Sequence, residues 1–101
     1  MQAAAETISV AKAKSIDHGQ VVAVRGVVTA ALNNQFGLKL IDESNASLSL
    51  AIKLDAEFRE TYSPLRNPAI VGTVVVVHGK RGNYNMADGI REVFQIEKAV
   101  D

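Results

Sequence analysis

The feature that most constrains this chain is a long β-rich run with a glycine inside it. Residues Val21 to Leu32 read Val-Val-Ala-Val-Arg-Gly-Val-Val-Thr-Ala-Ala-Leu. Asn33-Asn34-Gln35 follows, and then a shorter run, Phe36 to Asp42, that alternates apolar and polar positions. Strands usually end after about six residues, so a run that continues past Gly26 must bend to remain within a small domain. A glycine inside a strand pattern marks a bulge or corner. A strand bent in this way pairs with one neighbour through its early half and with another through its late half, which closes a small barrel.

The remaining segments supply the other walls and the plugs. Ser9 is placed to cap a short helix starting at Val10, and Ile8, Val10 and Ile16 are expected to plug one end. In the second strand Phe36, Leu38 and Leu40 share one face, opposite Gly37, Lys39 and Ile41. Asp42-Glu43-Ser44-Asn45 reads as a turn. Ala46 to Leu54 then alternates, with Leu48, Leu50, Ile52 and Leu54 inward and Ser47, Ser49, Ala51 and Lys53 outward. Asp55 is placed to cap a helix running to Tyr62, whose Phe58 and Tyr62, with Leu65, are expected to cover the barrel floor. Thr73 to Val77 is a β-branched strand that continues through His78 to Arg81. Gly82 to Gly89 reads as a long polar loop. Ile90 to Val100 is the last strand, with Ile90, Phe94 and Ile96 on one face. The order is strand, strand, strand, helix, strand, strand. It predicts a mainly β domain over residues 8–101, preceded by a flexible N-terminus over residues 1–7.

Length and composition exclude several classes of function. The 101 residues suit one domain. Eleven basic residues balance eleven acidic ones, so any polyanion site has to come from uneven placement of the cations. The absence of cysteine removes disulfides, thiolate metal sites and cysteine nucleophiles. No apolar run is long enough to span a bilayer. The opening Met-Gln-Ala-Ala-Ala-Glu lacks the basic and apolar regions of a signal peptide. Its small residues fit either a remnant left after signal removal or a frayed terminus, so the compartment stays open.

The segments Ile8 to Ala13, Gly19 to Thr29, Leu65 to Gly72, Gly79-Lys80-Arg81, Asn83-Tyr84-Asn85 and Gly89-Ile90-Arg91 occur in an order that resembles the OB-fold. That fold is a five-stranded Greek-key barrel with a helix between strands three and four. More narrowly, the chain is similar to bacterial OB-fold modules of unassigned function found in exported proteins and beside secreted endonucleases. The resemblance implies binding of single-stranded nucleic acid without catalysis, across strands two and three and between two flanking loops. The implied site residues are Asn34, Phe36, Lys39, Lys53, Lys80, Arg81, Tyr84, Asn85 and Arg91. Lysines and arginines would follow the phosphates, and Tyr84 would stack on a base. The alternative is a protein- or carbohydrate-interaction module using the same groove, a reading favoured by the neutral charge and the scarcity of rings.

Signals for an enzyme are thin. His18 and His78 stand singly at a turn and a strand end. Asp42, Glu43 and Asp88 lie in turns, where carboxylates accept backbone hydrogen bonds. Ser44, Ser47 and Ser49 have no neighbouring base in any recognisable motif. Gly79-Lys80-Arg81-Gly82 lacks the glycine spacing and following helix of a phosphate-binding loop. The expectation is a monomeric module with no catalytic residues, no metal and no cofactor.

Overall fold

The computed structural model of the protein describes residues 6–99. Its elements are β1 (Thr7–Ser9), α1 (Val10–Ala13), β2 (Val21–Leu32), a 3-10 turn (Asn34–Phe36), β3 (Gly37–Ile41), β4 (Ser49–Lys53), α2 (Ala56–Tyr62), a second 3-10 turn (Pro68–Ile70), β5 (Val74–Tyr84) and β6 (Ala87–Lys98). The strands lie in the order β1-β2-β3-β4-β6-β5, and β5 pairs back with β2. Strands β2 to β6 therefore form a closed ring of five, and β1 is an addition to its side. Of the N-terminal segment expected to be flexible, residues 1–5 lie outside the described residues, while Thr7 opens β1. At the other end, Val100 lies outside them too.

The bent strand closes the ring as its sequence predicts. Val21–Val27 of β2 pairs antiparallel with Lys80–Val74 of β5, and Val27–Leu32 pairs with Ile41–Gly37 of β3. The edge beside Ala23–Arg25 that β3 does not reach is taken by β1, in parallel. Gly26 sits at the changeover. A Cβ there would come within 2.7 Å of the Ile41 carbonyl oxygen and Leu40 Cγ, and within 2.9 Å of Val10 Cγ2. Its role is clearance between crossing layers. The bulge itself falls between Val28 and Ala30.

The core is filled from all five walls by side chains including Val22, Val24, Val28, Leu38, Leu40, Leu50, Ile52, Val75, Val77 and Ile90. Helix α1 closes the end near the β3–β4 turn. Ser9 Oγ accepts from Lys12 N, Val10 and Ala13 are fully buried, and Ala11 N donates to Asp42 Oδ1 over 3.0 Å. Asp42 Oδ2 also accepts from Ser44 N, so this carboxylate belongs to the turn. Helix α2 covers the opposite end. Phe58 and Tyr62 pack on the core, and Tyr62 Oη donates to the Ile96 carbonyl. Asp55 takes the capping position but makes no side-chain capping bond.

Four expectations are corrected. Leu65 lies beyond α2 and is exposed, so it is not part of the floor. The run Ala46 to Leu54 contributes only Ser49–Lys53 as strand. The polar segment Gly82 to Gly89 is not a loop. Strand β5 runs on to Tyr84 and β6 begins at Ala87, so only Asn85 and Met86 turn, both at positive φ (53° and 63°), as a type I′ hairpin requires. Finally, Phe94 points outward and is 61% exposed, while Val93 is buried. Extra residues bulge out of β6 where the register passes from His78–Gln95 to Lys80–Arg91, and Glu92 adopts φ 50°. The bulge shifts the inward positions to Ile90, Val93 and Ile96.

Candidate nucleic-acid interface

The alternation of β3 and β4 presents Gly37, Lys39, Ser49, Ala51 and Lys53 on the outer wall, with Lys39 paired to Ala51 and Gly37 to Lys53. The β5–β6 hairpin folds over this wall. Gly89 of β6 pairs in parallel with Ala51 of β4, so closely that a Cβ on Gly89 would collide with the Ala51 carbonyl. Ala51, expected to face outward, is therefore only 4% exposed. A groove of about 300 Å³ remains between wall and hairpin, lined by Lys14, Leu32, Lys39, Ser49, Leu50, Ala51, Asn85, Ala87 and Asp88.

The structure divides the expected site residues into two groups. Lys39 and Asn85 line the groove. Lys53 and Arg91 each stand next along their strands from the Ile52–Ile90 pair of β4 and β6, on the outer wall. Among the described residues, the side chains of Lys39, Lys53 and Arg91 enter no hydrogen bond or ion pair. Of the expected site cations these three are the uncompensated ones; Lys12 on α1 and Lys98 at the end of β6, outside the expected site, likewise enter none. Lys80 pairs with Arg91 in register, but its ammonium lies 3.4 Å from Glu92 Oε2. Asn34 occupies the turn between β2 and β3 at φ 62° and is exposed.

Three of the expected contacts are committed to the fold. Arg81, expected on the phosphate track, is 3% exposed. Its Nε donates to the Ala13 carbonyl at 2.8 Å and its Nη1 to the Gly89 carbonyl at 2.7 Å. Strand alternation turns Arg81 inward with Val75, Val77 and Gly79, so it ties α1 to the hairpin instead of reaching solvent. Tyr84, expected to stack on a base, lies across Gly37, where any Cβ would meet its Cε2. Its hydroxyl donates to the Phe36 carbonyl at 3.0 Å and accepts from Asn33 Nδ2 at 3.2 Å. The ring thus fastens the hairpin to the β2–β3 turn. Phe36 belongs to the 3-10 turn, not to the core face of β3, and the Arg59 guanidinium covers its ring at 4.6 Å.

Sequence reasoning missed Lys14 and Leu32. Lys14 follows α1, and its Nζ reaches the Ser49 carbonyl at 3.0 Å and Asp88 Oδ2 at 3.8 Å. Nothing in the sequence around Lys14 announces this, because the docking of α1 against β4 creates the contact. Asp88, at the groove's edge, also meets His18 Nε2 at 3.4 Å and Arg81 Nη2 at 3.8 Å. Among the described residues, no group of three or more His, Asp or Glu side chains is placed to hold a metal ion, and no helix is long and apolar enough to cross a membrane.

Comparison with known proteins agrees with this architecture. Among solved structures the chain is similar to the hypothetical protein ygiW from E. coli, with 20% identity and a TM-score of 0.65 over 93% of this chain and 90% of that one. It is also similar to a chain of the S. pombe Stn1-Ten1 complex (16% identity, TM-score 0.58, covering 99% and 81%). A third likeness is to the telomere capping protein Ten1 from S. pombe (17%, 0.58, 96% and 83%). At these identities what is shared is the fold, an OB-type barrel. No curated protein matches in sequence. The chain matches the model of DUF6359, a domain of unknown function, over residues 8–99, and it belongs to that family.

Proposed function

We propose that this DUF6359 domain is a non-catalytic, monomeric module that binds single-stranded nucleic acid through its phosphates. The observation that carries the reading is the trio Lys39, Lys53 and Arg91. They stand on β3, β4 and β6 along one outer wall, and none is neutralised by a described neighbour. Cations along a groove supply the sequence-independent part of single-strand binding, and stacked rings supply most of the rest. With Tyr84 pinned on Gly37 and Phe36 under Arg59, the ring contribution is small. Binding is therefore weak and falls steeply with salt. The fold likeness to the telomere capping protein Ten1 supports testing nucleic acid first.

Fluorescence anisotropy with a labelled single strand provides the test. Three phosphate contacts predict a plot of log K against log salt with a slope of about −2, since each contact on a single strand contributes about −0.7. Replacing Lys39, Lys53 and Arg91 together by Met should abolish the slope. Absence of binding at low salt and high micromolar protein would refute the reading.

A second reading, a protein-interaction module, is favoured by one observation. The outer face of β5–β6 exposes Phe94, whose ring centroid lies 5.9 Å from that of His78. Capture of a protein partner that persists in high salt, and is lost in Phe94→Ser, would favour it.

A further inference from the structure

The groove under the hairpin has features that the phosphate contacts do not use. Its lining is mixed: Leu32 and Ala87 supply apolar surface beside Lys14, Lys39 and Ser49, and Asn85 and Asp88 stand on the hairpin side. At about 300 Å³ it lies at the small end of ligand sites, so it holds one unit of a chain and not a stretch of it. Asp88 is surrounded by Lys14, His18 and Arg81, but at 3.8, 3.4 and 3.8 Å. The Lys14 and Arg81 contacts are too long for hydrogen bonds and only offset the carboxylate's charge, while His18 Nε2 takes one position on Oδ1. An ionised carboxylate has about four acceptor positions, so others are left over. Lys39, with no described partner, stands on the same groove.

We infer that this groove receives one base of the bound strand, and that Asp88 makes it favour bases carrying an exocyclic amino group. The inference rests on the nucleic-acid reading above. An unstacked base buries its faces against apolar side chains and is read along its edge by hydrogen bonds. Here Leu32 and Ala87 form the apolar contact, and Lys39 meets the adjoining phosphate. Asn85 offers both a donor and an acceptor to the base edge. Asp88 offers acceptors alone, and a carboxylate at a base edge pairs with an amino group such as that of cytosine. Thymine presents a carbonyl oxygen at the corresponding position, which would face the carboxylate unpaired.

The test compares oligo-dC, oligo-dT and an abasic strand of equal length, by anisotropy at low salt on the full chain. Oligo-dC should bind at least about fivefold tighter than either of the others. Ala87→Leu fills the groove from an exposed position without altering a charge. It should bring all three strands to equal affinity while leaving the salt dependence in place. Asp88→Ala should remove the preference for dC over dT. If that variant does not fold, Ala87→Leu alone decides the matter. Equal binding of the three strands by the unaltered protein overturns the inference but leaves phosphate binding standing, as does a dC preference that survives Ala87→Leu. Failure of every strand to bind ends both readings.

Discussion

Single residues in this protein do work that their type alone does not reveal, and substitutions separate the cases. Arg81 and Arg91 stand ten positions apart on paired strands. Arg81 is buried with two carbonyl oxygens as acceptors, whereas Arg91 is exposed. Arg81→Ala removes both of these bonds, although the Ala13 carbonyl keeps the Ile16 N–H as a donor, and should cost about 3 kcal/mol in urea unfolding, because hydrogen bonds to a charged group contribute about 1.5–3 kcal/mol each. Arg91→Ala should stay within about 0.5 kcal/mol, as surface changes do. The glycines divide similarly. Gly89→Ala drives a methyl into the Ala51 carbonyl, a backbone atom that cannot swing away, while at Gly82 the added Cβ meets only the flexible stem of Arg91, at 3.5 Å. Overpacking costs about 1–3 kcal/mol. Denaturant curves should show a loss of that size for the first substitution and little change for the second.

The β5–β6 hairpin is the element that decides the shape of the site. It crosses the β3–β4 wall at Gly89 and is pinned at its far end by the Tyr84 hydroxyl. Tyr84→Phe removes that hydroxyl's bonds to Phe36 and Asn33. It should lower stability by about 1 kcal/mol and speed amide exchange at the hairpin tip relative to the barrel core. The turn carries a cost of its own. Met86 holds the left-handed conformation with its side chain fully in solvent, where an Asn-Gly pair is the preferred type I′ sequence. Met86→Gly should therefore raise stability by about 0.5 kcal/mol, the left-handed penalty partly offset by glycine's entropy. A thermal melt would record the gain. The same hairpin explains why Phe94 was misplaced by its spacing. A strict alternation carries Ile90 to Phe94 on one face, but bulged residues at Glu92 break the count, and no composition signal marks where they fall.

At the scale of the molecule, stability and function both follow from ring closure. Strand β2 is paired on both edges over much of its length, with β1 and β5 and then with β3, and its inward residues are almost wholly buried. Backbone amides in such a segment open only with global unfolding. The amides from Val22 to Val28 should be the last to exchange in a hydrogen-exchange time course, and the Asn85–Met86 tip among the first. Closure also brings Lys39, Lys53 and Arg91 to one wall although 52 positions separate the outer two along the chain.

The sequence by itself determined the barrel. The bent run around Gly26, the alternating run from Ala46 to Leu54 that contains β4, the Ser9 cap and the helix from Ala56 to Tyr62 were legible because each depends on period and on local backbone chemistry. Only the tertiary structure decided which cations are free. It turned Arg81 inward, laid Tyr84 over Gly37, and brought Lys14 and Asp88 to the groove. Those outcomes depend on how the hairpin and α1 dock against walls distant in sequence. A side chain's partners are set by that docking and by the competition for buried carbonyls, neither of which leaves a periodic trace along the chain.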